Sequence, residues 1–236
     1  MHSCIAPRRI SRIPSLGVAA ALLLALAGPA GAQEGASDGA TEVVERVKAR
    51  VLSVIEEAKS YADEDPERYY DAVDEALDGA VDFRGFARGV MGPYASGKRY
   101  RSLDEQGQQE LREQLETFTG VMRDGLIRTY SKGLLAFGGS RIGSGELIDS
   151  ESDDRRASVR QQIFSDAEKP YTVVYQMYKD GDEGWLIRNM VVEGVNLGRI
   201  YRSQFEDAAR RYDGDVDRVI ANWDVENADA LSDDAR

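Results

Sequence analysis

Residues 171–192 read YTVVYQMYKDGDEGWLIRNMVV, and the way this stretch alternates decides the fold. Apolar and polar side chains trade places with a period of two through 171–179 and again through 185–192. Between them, Asp180-Gly181-Asp182-Glu183-Gly184 is short, polar and rich in glycine, which is the chemistry of a hairpin. Upstream, 157–164 and 141–148 alternate in the same way, joined by polar connections at 149–155 and 165–170. A parallel crossover needs a dozen or more residues, so connections this short predict an antiparallel meander of four strands. Tyr171, Val173, Tyr175 and Met177 fall on one face of the third strand. Strict alternation on the fourth puts Trp185, Ile187 and Val191 on one face, with Leu186, Met190 and Val192 opposite.

Before Gly138-Gly139 the apolar period is near 3.6 instead. Val43, Val47, Val51, Val54, Ile55 and Ala58 form a stripe behind Thr41 as N-cap. Asp65-Pro66 ends that helix, and Pro66 suits the first turn of the next, which carries Tyr69, Tyr70, Val73 and Leu77. Asp82 is placed to cap a short helix with Phe83, Phe86, Val90 and Met91, closed by Gly92-Pro93. Ser102 to Glu105 has capping-box spacing, and Leu111, Leu115, Phe118, Met122, Leu126, Tyr130 and Leu134 follow on one stripe. Gly120, Gly125 and Gly133 within it predict bends or close packing, and one helix or two. Two more helices carry Ile200, Tyr201 and Phe205, then Val216, Val219, Ile220 and Trp223. Helices first and a meander second make an α+β fold, with one domain over 41–223 and an acidic flexible tail over 224–236.

The N-terminus has the three parts of an export signal. Arg8, Arg9 and Arg12 precede an apolar run over 16–27, and Ala30-Gly31-Ala32 offers small residues at −3 and −1. The run is too short to span a bilayer. Residues 1–32 are therefore expected to be cleaved after Ala32, leaving a disordered Gly/Ala/Ser/acid-rich leader over 33–40. Sec and twin-arginine export stay open, because Arg8-Arg9 lacks a supporting context. With the leader go the only Cys (Cys4) and the only His (His2). The remaining chain has no thiol or imidazole for nucleophilic catalysis, disulfides or a His/Cys zinc site. Once three of the 30 basic residues leave, 27 stand against 42 acids, a net charge of −15. Such a surface repels phosphate backbones and anionic headgroups, so nucleic acid is not an expected partner.

Other candidate chemistries fail on their spacing. No carboxylate pair stands apart from the acidic surface, so no catalytic residue is assigned and an enzyme is not expected. Asp213, Asp215 and Asp217 imitate the start of a calcium loop, but Arg218 occupies the glycine position and Asp224 the place of the bidentate Glu. They read as a polar loop capping the next helix, and no metal is assigned. The run from Gly138 to Gly145 lacks both the Walker lysine and dinucleotide spacing, so no cofactor is assigned. There remains a surplus of aromatic and Met side chains on the meander and its facing helices, readable as ordinary core or as an apolar pocket.

One more pattern bears on that choice. The run from Trp185 to Leu197, WLIRNMVVEGVNL, followed by Tyr201-Arg202-Ser203-Gln204-Phe205, resembles the signature W-x-V-x-D-x-x-V-E-G-V-S-L, then Y-R-x-Q-F, of the MlaC or toluene-tolerance auxiliary family. Phe86 to Gly92 resembles its F-x-x-x-V-L-G element, and Leu115, Phe118 and Leu126 to Tyr130 resemble the helical block that follows. The resemblance covers most of 42–223. It departs at Asn189, where the family has Asp, and at Asn196, where it has Ser, which touches fine detail only. It implies a cystatin/NTF2-like fold with helices on a curved sheet and a soluble, monomeric periplasmic phospholipid carrier. It implies exchange of lipid between an outer-membrane lipoprotein complex and an inner-membrane ABC transporter with an MCE-domain subunit.

Physical chemistry asks the same of any lipid carrier. At about 0.8 kcal/mol for each CH₂ leaving water, roughly 30 of them amount to about 24 kcal/mol, so the tails need an apolar enclosure. On the implied function, Phe86, Val90, Phe118, Met122, Tyr130, Tyr175, Met177, Met190, Val192 and Tyr201 are the expected tail contacts. Arg99 or Arg202 is expected to face the headgroup phosphate. Two alternatives remain: a non-enzymatic adaptor regulating an ABC transporter, and an exported hydrolase using carboxylates.

Overall fold

The computed structural model describes residues 36–137, 141–150, 155–164, 170–181 and 184–225. The export signal and the acidic C-terminus expected from the sequence lie outside these residues, apart from Asp224 and Val225. Among the described residues, seven helices and five strands follow in an α-then-β order that closes with two helices: α1 Ala36–Ala58, α2 Pro66–Leu77, α3 Phe83–Met91, α4 Gly97–Ser102, α5 Glu105–Phe137, β1 Glu146–Ser150, β2 Arg156–Ile163, β3 Tyr171–Asp180, β4 Gly184–Val192, β5 Val195–Asn196, α6 Leu197–Arg211 and α7 Val216–Ala221. A 3-10 turn, Gly92–Ala95, joins α3 to α4.

Helix ends follow local chemistry. Asp65 Oδ1 accepts from the Arg68 amide at 3.2 Å with Pro66 in the first turn of α2, and Asp82 Oδ1 accepts from Gly85 at 2.7 Å to open α3. Asp215 does the same for α7 through the Arg218 amide at 3.0 Å, so the Asp213–Asp217 stretch caps a helix as expected. Two starts differ from the sequence reading. α1 begins at Ala36, ahead of Thr41. α5 is capped by Asp104, which accepts from Gly107 at 2.9 Å, while the Ser102 hydroxyl turns back to the Arg99 carbonyl at 2.7 Å and closes α4. A Ser at the end of one helix cannot also open the next.

The sheet is an antiparallel meander in the order β1-β2-β3-β4-β5. The α+β expectation holds, with a two-residue fifth strand added. The first strand lies later than 141–148, because only Ile142 bridges to Ile163 before Glu146 takes up regular pairing. A β-bulge alters the faces of the fourth. Tyr175 pairs with Met190 and Gln176 with Asn189, but Met177 pairs with Ile187, so Arg188 is an extra residue. Trp185 and Ile187 therefore share a face with Met190 and Val192, and Val191 falls on the other. Strict alternation through 185–192 predicts the opposite, since nothing in the side-chain pattern announces the inserted residue.

Burial divides the interior into three apolar clusters. α1 covers the first sheet face, where Ala40, Val43 and Val44 meet Val159, Met177 and Ile187. A second cluster joins α3, α5, α6 and α7 around Phe118, whose ring meets Phe205 at 5.0 Å and Trp223 at 5.3 Å, both edge-on. A third packs Tyr69 and Val73 of α2 against Ala58 of α1 and Ile127 of α5. α5 is one continuous helix of 33 residues. Of its inner glycines, Gly125 is explained by close packing, because a Cβ there would lie 2.9 Å from Val225 Cβ. Gly125→Ala should thus lower stability by about 1–2 kcal/mol, overpacking exceeding the roughly 1 kcal/mol gained in helix propensity. Urea denaturation checks this, and adding Val225→Ala should recover most of the loss.

Candidate functional site: an arginine-lined cleft

A cleft of about 480 Å³ lies between α3, the second face of the sheet and the start of α6. The volume is in the range that holds a small ligand. Ser158, Gln176 and Asn189, a cross-strand row on that face, border it together with Tyr178. α3 contributes Phe86 between Gly85 and Gly89, and α6 contributes Gly198, Arg199 and Arg202. Asp149 is the one carboxylate among the described lining residues, against Arg156, Arg188, Arg199 and Arg202.

Arg188 is the inserted residue of the bulge. Its Nε lies 2.6 Å from Asp82 Oδ2, and its guanidinium sits 3.5 Å from the Tyr178 ring centroid. Asp82 uses its other oxygen as the α3 cap, so one carboxylate holds both helix and sheet. The backbone reinforces it: Asp82 N–H donates to the Ile187 carbonyl at 2.9 Å, and Ile187 N–H donates to the Ala80 carbonyl at 2.8 Å. Gly85 leaves room for the ion pair, since a Cβ there would stand 2.1 Å from Asp82 Oδ2 and 2.6 Å from Arg188 Nε. Arg202 rests in the same manner over Gly92, whose φ is +53° and whose Cβ would lie 2.7 Å from Arg202 Nε. Its Nε also donates to Glu206 Oε1 at 3.0 Å.

The two departures from the family pattern meet at the cleft floor. Asn189 Oδ1 accepts from the Gly198 amide at 3.0 Å, while its Nδ2 donates to Gln176 Oε1 at 2.7 Å and to Asn196 Oδ1 at 2.9 Å. Asn196 Oδ1 also caps α6 through the Arg199 amide at 3.0 Å. A carboxylate at 189 would face the Asn196 oxygen with no proton to share, whereas a Ser at 196 would have a hydroxyl to donate. The two amides are a matched pair.

Beneath the first sheet face is a second polar group. The Tyr175 hydroxyl donates to Gln161 Oε1 at 3.0 Å, and Gln161 Nε2 donates to the Gly143 carbonyl at 3.1 Å. Burial pushes the Tyr175 phenol up to about 12, with the Glu45 charge adding to it. Burial acts against ionised Glu45, but hydrogen bonds from Lys48 and the Gly145 amide, with the Lys48 charge, hold its carboxyl below the ordinary value. Among the described residues no group of three or more His, Cys, Asp or Glu is placed to hold a metal.

The expected tail contacts occupy two clusters. Val90, Phe118, Met122 and Tyr201 are fully enclosed in the helical core, with Phe86 packed against them and edge-on to Tyr201 at 6.2 Å. Tyr130 reaches this group through its hydroxyl, 3.2 Å from that of Tyr201. Tyr175, Met177, Met190 and Val192 share the first sheet face. Phe86 borders the cleft from α3, and Met177 borders it only from the strand, its side chain lying on the first face. Of the two headgroup candidates, Arg202 lines the cleft, while Arg99 is exposed on α4 and does not. Arg156, Arg188 and Arg199 were not singled out by the sequence. Only Arg156 left a signal there, as a charge alternating with Ser158 on the polar side of a strand.

The MlaC protein family model matches residues 45–225. The chain belongs to the MlaC family. The toluene tolerance protein ttg2D of Pseudomonas putida is 29% identical over 190 residues, covering 80% of this chain and 81% of that one. A phospholipid-binding protein from Ralstonia solanacearum, solved in complex with a phospholipid, superposes with a TM-score of 0.62 at 20% identity, covering 81% of this chain and 97% of that one. The matched span contains every wall of the cleft in this MlaC chain. Among its described residues, no helix is long and apolar enough to cross a membrane.

The matched amides make a direct prediction. Asn189→Asp should lower stability by about 1–3 kcal/mol at neutral pH, the magnitude of an unsatisfied buried polar contact. Asn189→Asp with Asn196→Ser should recover most of it. Thermal melts of the two variants against the parent chain check the pairing, and equal losses in both would refute it.

Proposed function

We propose that this MlaC-family chain is a periplasmic phospholipid carrier, exported by a leader cleaved after Ala32. One juxtaposition carries the reading: Phe86, packed against the helical core, borders a cleft whose other walls hold arginines. A phospholipid has that same division, with an anionic phosphate at one end and chains that must leave water at the other. The phospholipid bound by the Ralstonia solanacearum relative supports the ligand class. Arg202 faces the phosphate in this proposal, and Arg99 drops out because it lies away from the cleft.

The chains then follow apolar surface inward from Phe86. About 24 kcal/mol of gross transfer energy has to be met by such surface, which the cleft alone does not enclose. Val90, Phe118, Met122 and Tyr201, with Tyr130 at their edge, are packed shut, while the first-face side chains Tyr175, Met190 and Val192 are half-buried. Loading on this reading separates packed side chains, and their re-closure helps drive release. The chain turns over no substrate. Its protein partners are those that family resemblance implies, an outer-membrane lipoprotein complex and an inner-membrane ABC transporter with an MCE-domain subunit. The surplus of acid over base keeps the carrier from adsorbing to anionic membranes between encounters.

The test is the mass of the purified protein. Expressed with its own leader and isolated from a Gram-negative periplasm, it should give native mass spectra of a chain starting at Gln33 plus a two-tailed phospholipid. Lipid-free spectra in all preparations would favour the contact-only adaptor. Phe86→Glu should reduce lipid occupancy several-fold in protein whose circular dichroism is unchanged. Full occupancy in that variant removes Phe86 from the lining.

A further inference from the structure

The chain holds 42 acidic residues, yet none falls between Phe83 and Leu103. The same stretch holds Arg84, Arg88, Lys98, Arg99 and Arg101. It comprises α3, the 3-10 turn and α4, so the bias gathers on three consecutive elements. Their apolar members point inward: Val90, Met91 and Ala95 are buried in the helical core, and Tyr94 and Tyr100 pack against it. The five cations are all exposed. Among the described residues, Arg84 alone of them is set against a carboxylate, Glu116 at 3.9 Å.

Local packing fixes how this face is presented. Ser96 Oγ accepts from the Arg99 amide at 3.1 Å to open α4, and the Tyr100 hydroxyl accepts from Arg112, which ties α4 to the first turns of α5. At the other end Gly92 lies under Arg202, and Gly89, next to Arg88, lines the cleft, so the face runs into the cleft rim. Helix dipoles account for part of the placement, because Arg88 stands in the last turn of α3 and Arg99 and Arg101 in that of α4. A dipole asks only for a cation near a helix end, however, and α4 is six residues long. It does not exclude carboxylates from three elements in succession.

An anionic bilayer and a carboxylate-rich protein are the two surfaces whose charge would match. A peripheral membrane face sets exposed apolar side chains among its cations. The exposed large apolar residues described, Ile148, Tyr171 and Val195, all lie on the sheet instead. Arginines on an anchored helix beside half-buried tyrosines have the composition of a protein interface, where a guanidinium fork meets a carboxylate through two parallel hydrogen bonds.

We propose that the basic face of α3, the 3-10 turn and α4 docks a carboxylate-rich surface of a partner protein and brings that partner to the cleft mouth. This rests on the carrier reading and adds the surface at which cargo is handed over. Arg99, away from the cleft, belongs to this face. The surplus of acid over the rest of the chain repels an acidic partner and leaves this face as its route of approach.

The experiment reverses charge on the face and, as a control, elsewhere. Arg99→Glu with Arg101→Glu alters two exposed positions on α4, and Arg46→Glu with Arg211→Glu makes the same change in net charge at exposed positions on α1 and α6. Association with each partner of the carrier reading, the purified lipoprotein complex and the MCE-domain subunit, is followed by surface plasmon resonance in low salt and in about 0.15 M salt. The parent chain should associate with at least one of them, more slowly as salt rises. The α4 variant should associate about tenfold more slowly in low salt, while the control stays close to the parent. Arg88→Gln with Arg99→Gln, which removes charge without reversing it, should slow association about threefold. Native mass spectrometry should find lipid occupancy equal in all four chains. Parent rates in both face variants, an equal loss in the control, or no binding of the parent to either partner overturns the proposal and leaves the carrier standing. Loss of adsorption to phosphatidylglycerol vesicles with protein association intact would assign the face to a membrane and also overturn it. Lipid-free spectra with association lost only in the face variants would overturn the carrier and leave the docking face.

Discussion

Asp82 holds the architecture together at one point. Its two carboxylate oxygens do different work, one ending the unmet N–H groups of α3 and the other fixing Arg188 against Tyr178. The pair is largely shielded, with 15% of the Asp82 side chain and 27% of the Arg188 side chain exposed. Removing either partner would strand a charge in that setting, so the contact resists change more than its net contribution to stability implies. Its position matters as much as its strength. α3 reaches the sheet through the Ala80–Asp82 backbone pairing with Ile187, and the cleft is the space that this joint leaves open.

The bulge at Arg188 and the Asp82 contact depend on each other. Alternation from Ile187 turns position 188 toward α3, and a strand without the extra residue would leave Met190 and Val192 on that same face. With it, β4 turns a polar side chain toward α3 and still returns Met190 and Val192 to the apolar face. Inserted residues that re-aim one side chain are a common use of bulges beside binding sites. The same twist sets Asn189 opposite Gln176 and within reach of Asn196, so that the start of α6 is fixed by the strand that precedes it.

Much of this was legible in the sequence where the signal is local. Asp65, Asp82 and Asp215 announce helix starts, because a short side-chain acceptor before an amphipathic run is both pattern and mechanism. The meander was legible because polar connections too short for a crossover leave one solution. What depends on partners distant in the chain was not. The parity of β4 is decided by pairing with β3, Gly125 by Val225, and the choice of Asp104 over Ser102 by where α4 ends. Arg202 was legible through a motif, whereas Arg188 and Arg199 join the cleft through the Asp82 contact and the α6 turn, which no local pattern announces.

On the proposed function the chain has to hold its cargo and also give it up, and the pairing of the cleft arginines suits both demands. An isolated guanidinium in a shielded cleft would bind a phosphate strongly and release it slowly. Here Arg188 is already engaged by Asp82 and Arg202 by Glu206, so an incoming phosphate competes for partly neutralised groups. Each contact is weakened, which keeps the site reversible; on the proposed function the apolar chains supply most of the affinity and their packing sets the rate of exit.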